Sequence, residues 1–599
     1  MVKILQSSTA AVQDIAAGIL GNLAIQNPTN QAAIVAAGAL PPLVNLLLVG
    51  TSPAKEQACF ALWNLACQHP ENQVAIEQAS AIKPLVALLS KGSASLQEEA
   101  AGALMNLAAH PDNKRAIASA SAIKPLVEMV KAGGGAAEQA AGALMNLASN
   151  NTENQVSIQK ADALAPLLAL LKDKAGASRR AREYVAGALM NLTLKQPTAQ
   201  AEVAKAGAIP VLVGMLSETE GQMEEVAGAL TNLADTNEDN QAEIAKAGAV
   251  APLVKLLAAS ASPSCQEEAS GTLMNLAACE ANKAKIVSAG AIPPLVKLLS
   301  TGTDCTKEHA AGTLANLANG HDSHQATIGK AGAVGALMGL VSEQGEGANL
   351  VAARAVSALL LLCLNKDNAE AVHGVDGIAK LTAALKRGVS EAAGALMNLS
   401  LHSKEAQRAI LNGGALPCLV EMLSASTPTG QEEAAGAIMN LTTGSPENQK
   451  PVADAGAVLP LVMLLTFGAT PAAKEHAAAA LGNLAQKNEA ICKSILAAQA
   501  GPALLEMLKA TDAKAAPKGA KKVETASGKK TGGLQVEAAN CLRNLLEGDS
   551  IAQAVLVEEG MLLLVTPLLK AKATEEAGSK LLGALDECFD DLVAAAKSK

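Results

Sequence analysis

One phrase, AAGALMNLA with small changes, recurs along almost the whole chain and decides what it can fold into. Anchored on its Asn, the phrase falls at Asn22, Asn64, Asn106, Asn146, Asn191, Asn232, Asn275, Asn316, Asn398, Asn440, Asn483 and Asn544. Two more copies carry Leu361 and Glu587 at that place, which makes fourteen. Most spacings run from 40 to 45 residues; the exceptions are 37 before Asn398 and 61 before Asn544. Self-similarity at such a period means a stack of small units, none of which buries its apolar face alone.

Composition fits thin layers. Half of the residues are hydrophobic, yet only 1% are aromatic, so Ala, Leu, Val and Ile must do the packing. The unit 112–148 shows three helical stretches: Asn113 to Ser119, Ile123 to Val130 with Pro125 in its first turn, and Ala136 to Ala148. Gly207, Gly248, Gly290, Gly332, Gly414 and Gly456 fall between the first and second stretches, where a sharp helix-to-helix turn needs a left-handed residue. No strand alternation competes. The fold expected is all-α, a solenoid of three-helix repeats forming one array over 1–599. A Lys-rich, disordered insertion at 512–533 accounts for the longest spacing.

On the third helix, Leu two before and one after the Asn, with a small residue six before it, fall on one stripe at about 100° per residue. The Asn lies away from that stripe. So does the residue four before it, which is Gly in ten of the fourteen copies, among them Gly102, Gly142, Gly187 and Gly228. Gly in a helix costs about 1 kcal/mol against Ala, so close approach by a neighbouring helix or a ligand is expected there. Two roles are open to the Asn. It can brace the adjoining repeat, or its amide can meet the main chain of a bound peptide. The expected peptide-binding residues are Asn22, Asn64, Asn106, Asn146, Asn191, Asn232, Asn275, Asn316, Asn398, Asn440 and Asn483. Phe60 and the sole tryptophan, Trp63, on the same side of the helix before Asn64, join them as a hot spot. Packing on an adjacent third helix is the other role open to Trp63, since Met105, Met145 and Met190 fill its place elsewhere. Glu99, Glu225, Glu268 and Glu433, seven before the Asn, suit a helix N-terminus and also a basic ligand.

These motifs resemble the armadillo repeat family across nearly the whole chain, through the Gly-Ala-x-Pro-Leu-Val second helix and the Gly-x-Leu-x-Asn-Leu third helix. AAGILGNL at residues 16–23 looks like β-catenin and the vacuole-associated armadillo proteins. The resemblance implies a right-handed superhelix whose inner groove clamps extended peptide backbone with Asn. It implies a protein-binding scaffold or adaptor. Importin-α, also an armadillo protein, typically has Trp four before the Asn; here that place is mostly Gly. A nuclear transport adaptor of that type is the alternative, and a structural spacer in a cytoskeletal assembly is another.

The net charge of -9 argues against nucleic-acid binding. Ten scattered Cys without a CxxC pair read as reduced thiols. No signal peptide, lipid anchor or apolar run long enough for a membrane span is read, so a cytoplasmic or nuclear location is expected. No phosphate loop, nucleophile elbow or zinc motif occurs, and no catalytic residue, metal or cofactor is expected.

Overall fold

The computed structural model describes residues 1–6, 9–218, 223–258, 260–343, 348–374, 376–509, 533–548 and 556. The copy at Glu587, and the Lys-rich 512–533 segment apart from Gly533, lie outside them. Every element among the described residues is helical. The chain divides into two compact units, Met1–Pro294 and Leu295–Lys599.

In the first unit, the repeat read from the sequence at 112–148 forms Pro111–Ser119, Ile123–Ala132 and Gly135–Ala148. Local chemistry sets each boundary. First helices start behind an Asn whose side chain caps them: Asn27 accepts from the Asn30 amide, Asn151 from Asn154 and Asn237 from Asn240. Third helices start behind Thr or Ser: Thr51 accepts from Ala54, Ser93 from Leu96 and Ser178 from Ala181. The first-to-second turn is left-handed, at φ 76° for Gly207 and 92° for Gly248. It bends Pro197–Lys205 against Ala208–Leu216 by 82°. Ser80, Ser121 and Asp162 take the same conformation in repeats that lack the glycine. A second left-handed residue, unforeseen in the sequence, joins several third helices to the next first helix, as at Gln68, Asn150 and Thr236.

The second unit repeats the scheme. Its third helices include Asp304–Ala318, Ala348–Leu362, Pro428–Thr442 and Pro471–Ala485. Where the spacing falls to 37 residues, the third helix Ala392–Leu399 is only 8 residues long. The shortening is therefore taken from that helix's N-terminal end.

Two polar rows tie the layers together. One was not foreseen: buried Asn of the first helices. Asn113 Nδ2 donates to the Leu107 carbonyl at the end of the preceding third helix, 3.1 Å away, and to the Gln73 carbonyl of the preceding first helix at 3.0 Å. Asn154, Asn282 and, in the second unit, Asn368 make the same pair of bonds. Each amide thus adds a donor to carbonyls on two different helices and pins them together. In each unit, successive third helices are in extensive contact and successive second helices touch lightly. The third-helix row is thus the tighter side of the stack.

Replacing Asn113 by Ala removes two buried hydrogen bonds and should cost about 1–3 kcal/mol. Urea unfolding checks this, with Asn30→Ala, at an exposed site, as the milder comparison.

Candidate functional site

The Asn of each third helix is held by the repeat before it. Nδ2 of Asn106, Asn146, Asn191, Asn232 and Asn275 donates to the carbonyls of Trp63, Met105, Met145, Met190 and Thr231, at 3.0, 2.9, 3.1, 2.7 and 3.0 Å. In the second unit Asn398, Asn440, Asn483 and Asn544 donate to Leu360, Met397, Met439 and Gly482. Asn316 is engaged as well. Asn64 differs: its Nδ2 turns back to Phe60 O of its own helix, 2.9 Å away. Asn22 is exposed.

The bracing role is therefore present on the donor side of the amide. The acceptor side is different. Among the described residues, Oδ1 of Asn106, Asn146, Asn191, Asn232 and Asn275 accepts no hydrogen bond, and none of these oxygens is among the buried atoms without a partner. The brace fixes the amide, and its oxygen stays accessible on the third-helix face.

The recurring Gly has an intramolecular cause. The residue that lends its carbonyl to the next Asn also lays its side chain on the next Gly. A Cβ on Gly102 would meet Cδ2 of Trp63 at 2.6 Å, and one on Gly142 would meet Sδ of Met105 at 2.5 Å. Met145 covers Gly187 likewise, and Met190 covers Gly228. In the second unit Leu360 covers Gly394, and Met397 covers Gly436. Trp63 is thus packed on the following third helix, as the Met residues are. Phe60 packs on the preceding one, 2.5 Å from a Cβ built on Gly21. Both aromatics remain half-buried, with the rest of each ring on the third-helix face.

The residue seven before the Asn reaches back to the same Gly from the following repeat. Glu225 lies against Gly187, Glu268 against Gly228, Glu433 against Gly394 and Tyr184 against Gly142. The Tyr184 hydroxyl accepts from Nε of Arg180 at 2.8 Å. The carboxyls here are half-buried between layers. Burial, reinforced by Glu98 and Glu56, pushes Glu99 up to about 7, and its Oε2 is buried with no partner. Burial also raises Glu268 to about 7, with Glu267 and Glu224 adding to it against an opposing hydrogen bond from Thr231. Glu433 rises to about 8, through burial and then Glu391 and Glu432. Glu225 is raised too, first by burial. The face offers amide oxygens, carboxyls and parts of three aromatic rings.

Among the described residues no group of three or more potential metal ligands forms, and no single helix is long and apolar enough to cross a membrane.

The raised carboxyls set a pH dependence. Between about 4.5, the ordinary value, and 7 or 8, the folded chain holds more protons than the unfolded chain. These groups therefore stabilise the array near pH 5, and that contribution fades as pH rises to 8. Glu268→Gln should flatten the melting-temperature profile over this range. Gly102→Ala should destabilise by about 1–3 kcal/mol, because the rigid Trp63 ring must move. Gly142→Ala should cost less, since Met105 re-packs and Ala favours the helix. Chemical denaturation of the two variants compares them.

Comparison with known proteins agrees with this architecture. The family described as Plant U-box protein ARM repeat region matches residues 121–319 and 229–508. The Armadillo/beta-catenin-like repeat matches residues 27–67 and 69–109. No curated protein matches. An engineered protein of known crystal structure is similar at TM-score 0.50 and 29% identity, over 78% of this chain and 99% of that one. A chain from the structural work "A conserved phosphorylation switch controls the interaction between cadherin and beta-catenin in vitro and in vivo" is similar at TM-score 0.59 and 19% identity, over 85% of this chain and 100% of that one, a likeness of fold. With three-helix layers, an Asn recurring on the third helices and family matches over residues 27–109 and 121–508, this chain belongs to the armadillo-repeat family.

Proposed function

We propose that this chain is a protein-binding scaffold or adaptor that holds an extended segment of a partner along its third-helix row. The armadillo fold supports protein binding in general. The observation that carries the finer reading is the row of braced amides with accessible Oδ1 atoms, one per repeat from Asn106 to Asn275. An oxygen already fixed in direction accepts a peptide N–H with little further loss of side-chain freedom. Each such bond gives only about 0.5–1.5 kcal/mol net, so several in series are needed. They read a main chain and not a sequence. Selectivity then falls to what varies between repeats: the half-buried Phe60, Trp63 and Tyr184, and the carboxyls of Glu225 and Glu268, which suit a basic side chain.

The covering of each Gly weighs against an importin-like groove. A Trp at the Gly142 position would have to displace Met105. A cytoplasmic or nuclear setting is part of the proposal, and cell fractionation checks it.

Asn64 gives the cleanest test, because its amide does not brace a neighbouring repeat. Asn64→Ala should leave the melting temperature nearly unchanged and weaken capture of partners. The Asn146, Asn191 and Asn232 triple Ala variant should lower stability and abolish capture. Pull-down from lysate with identification of bound proteins reads both. A spacer would bind equally well as wild type or Asn64→Ala, and that result overturns the reading.

A further inference from the structure

Two junctions show an ion pair that this repeat can hold between layers, and a third departs from them. In the first unit Arg182, near the start of a third helix, meets Glu218 at the end of the next repeat's second helix, 3.3 Å apart and 36 residues on. In the second unit Lys307 meets Glu343 in the equivalent way, 3.2 Å apart and again 36 residues on. The corresponding pair between the second helices Leu40–Val49 and Ile82–Lys91 is Lys55 and Lys91. Two cations stand where those two junctions place a cation and a carboxylate. Neither lysine has an ion-pair partner among the described residues.

These lysines share a cleft of about 340 Å³ lined also by Leu47, Leu48, Leu88 and Leu96. Leu48 is 58% exposed, and its neighbour Val49 is 74% exposed. At the place of Leu48 other repeats carry Ser90, Lys131, Lys172, Ser217, Ser300, Ser342, Lys386, Ser424 and Thr466. The exposed leucine is therefore particular to this junction, as the unpaired lysines are. The third helices Ser52–Ala66 and Ala94–Leu107 both begin at the cleft, with their N-terminal partial positive charge toward it. The nearby acid is Glu56, whose Oε1 accepts from the Ser93 hydroxyl at 3.4 Å.

We propose that this cleft is a second docking site, apart from the third-helix row, for an acidic peptide segment that carries a bulky apolar side chain. The peptide carboxylate takes the place of Glu218 or Glu343 and bridges Lys55 and Lys91. The apolar side chain covers Leu48 and enters between Leu47 and Leu88. The net charge of -9 makes an unpaired basic rim a selective feature of this surface. Attraction across an open cleft is screened, so affinity falls with salt.

The test uses the full chain and a fluorescein-labelled peptide that alternates aspartate with leucine, read by fluorescence polarisation. K91E creates with Lys55 the ion pair that Arg182–Glu218 and Lys307–Glu343 form, so it should hold or raise the melting temperature and weaken the peptide at least tenfold. L48S should weaken it several-fold. Asn146→Ala should leave it unchanged, which separates this site from the third-helix row. Undiminished binding to K91E, or equal binding of a peptide alternating lysine with leucine, overturns the proposal. So does K91E-sensitive binding of phosphatidylserine vesicles with none of the acidic peptide, which would assign the cleft to a membrane surface.

Discussion

The structure depends on a two-point clasp between successive third helices. The residue before each Asn gives its carbonyl to the Asn of the next repeat and its side chain to the next Gly. Met105 does both for Asn146 and Gly142, and Met190 for Asn232 and Gly228. A neutral hydrogen bond of this kind is worth about 0.5–1.5 kcal/mol, and a helical Gly costs about 1 kcal/mol. The Gly is retained because a Cβ would occupy the space the Met side chain fills. Since each layer contacts only its neighbours, such small terms recur along the stack and add up.

The same clasp shapes what the surface offers. By spending the amide N–H on the stack, it leaves the carboxamide oxygen outward. The carboxyls seven before the Asn, wedged against the glycines, add further oxygens. A surface rich in acceptors favours ligands rich in donors: peptide N–H groups and basic side chains. Departures from the repeat then carry the information. Trp63 replaces a Met, Tyr184 replaces a Glu or Gln, and Lys91 stands where Glu218 and Glu343 stand in two other repeats. Each is tolerated because the repeat's packing does not need the residue it displaces.

Periodicity made the elements legible. The three helices of 112–148 came out within a few residues of their observed ends, since the Leu stripe, the Pro of the second helix and the Gly turns each act locally. Less legible were the left-handed residues after several third helices, because Gln68 and Thr236 carry no conformational signature. The buried Asn113 row was missed as well. In sequence it looks like the polar start of a short helix, and only the carbonyls of two neighbouring helices give it a purpose. The recurring Gly was correctly singled out as a place of close approach, but whether a ligand or a neighbour came near depended on a side chain one repeat away.

By itself, the sequence determined the period, the helix count per layer, the turn sites and the family, because those follow from local propensity and apolar spacing. The tertiary structure alone decided which atom of each Asn is spent and which is left open. It also decided that Lys55 and Lys91 share a cleft where two other junctions hold an ion pair. The reason is that partners some 36 to 46 residues apart are chosen by how one layer seats on the next, and no spacing within a single layer encodes that choice.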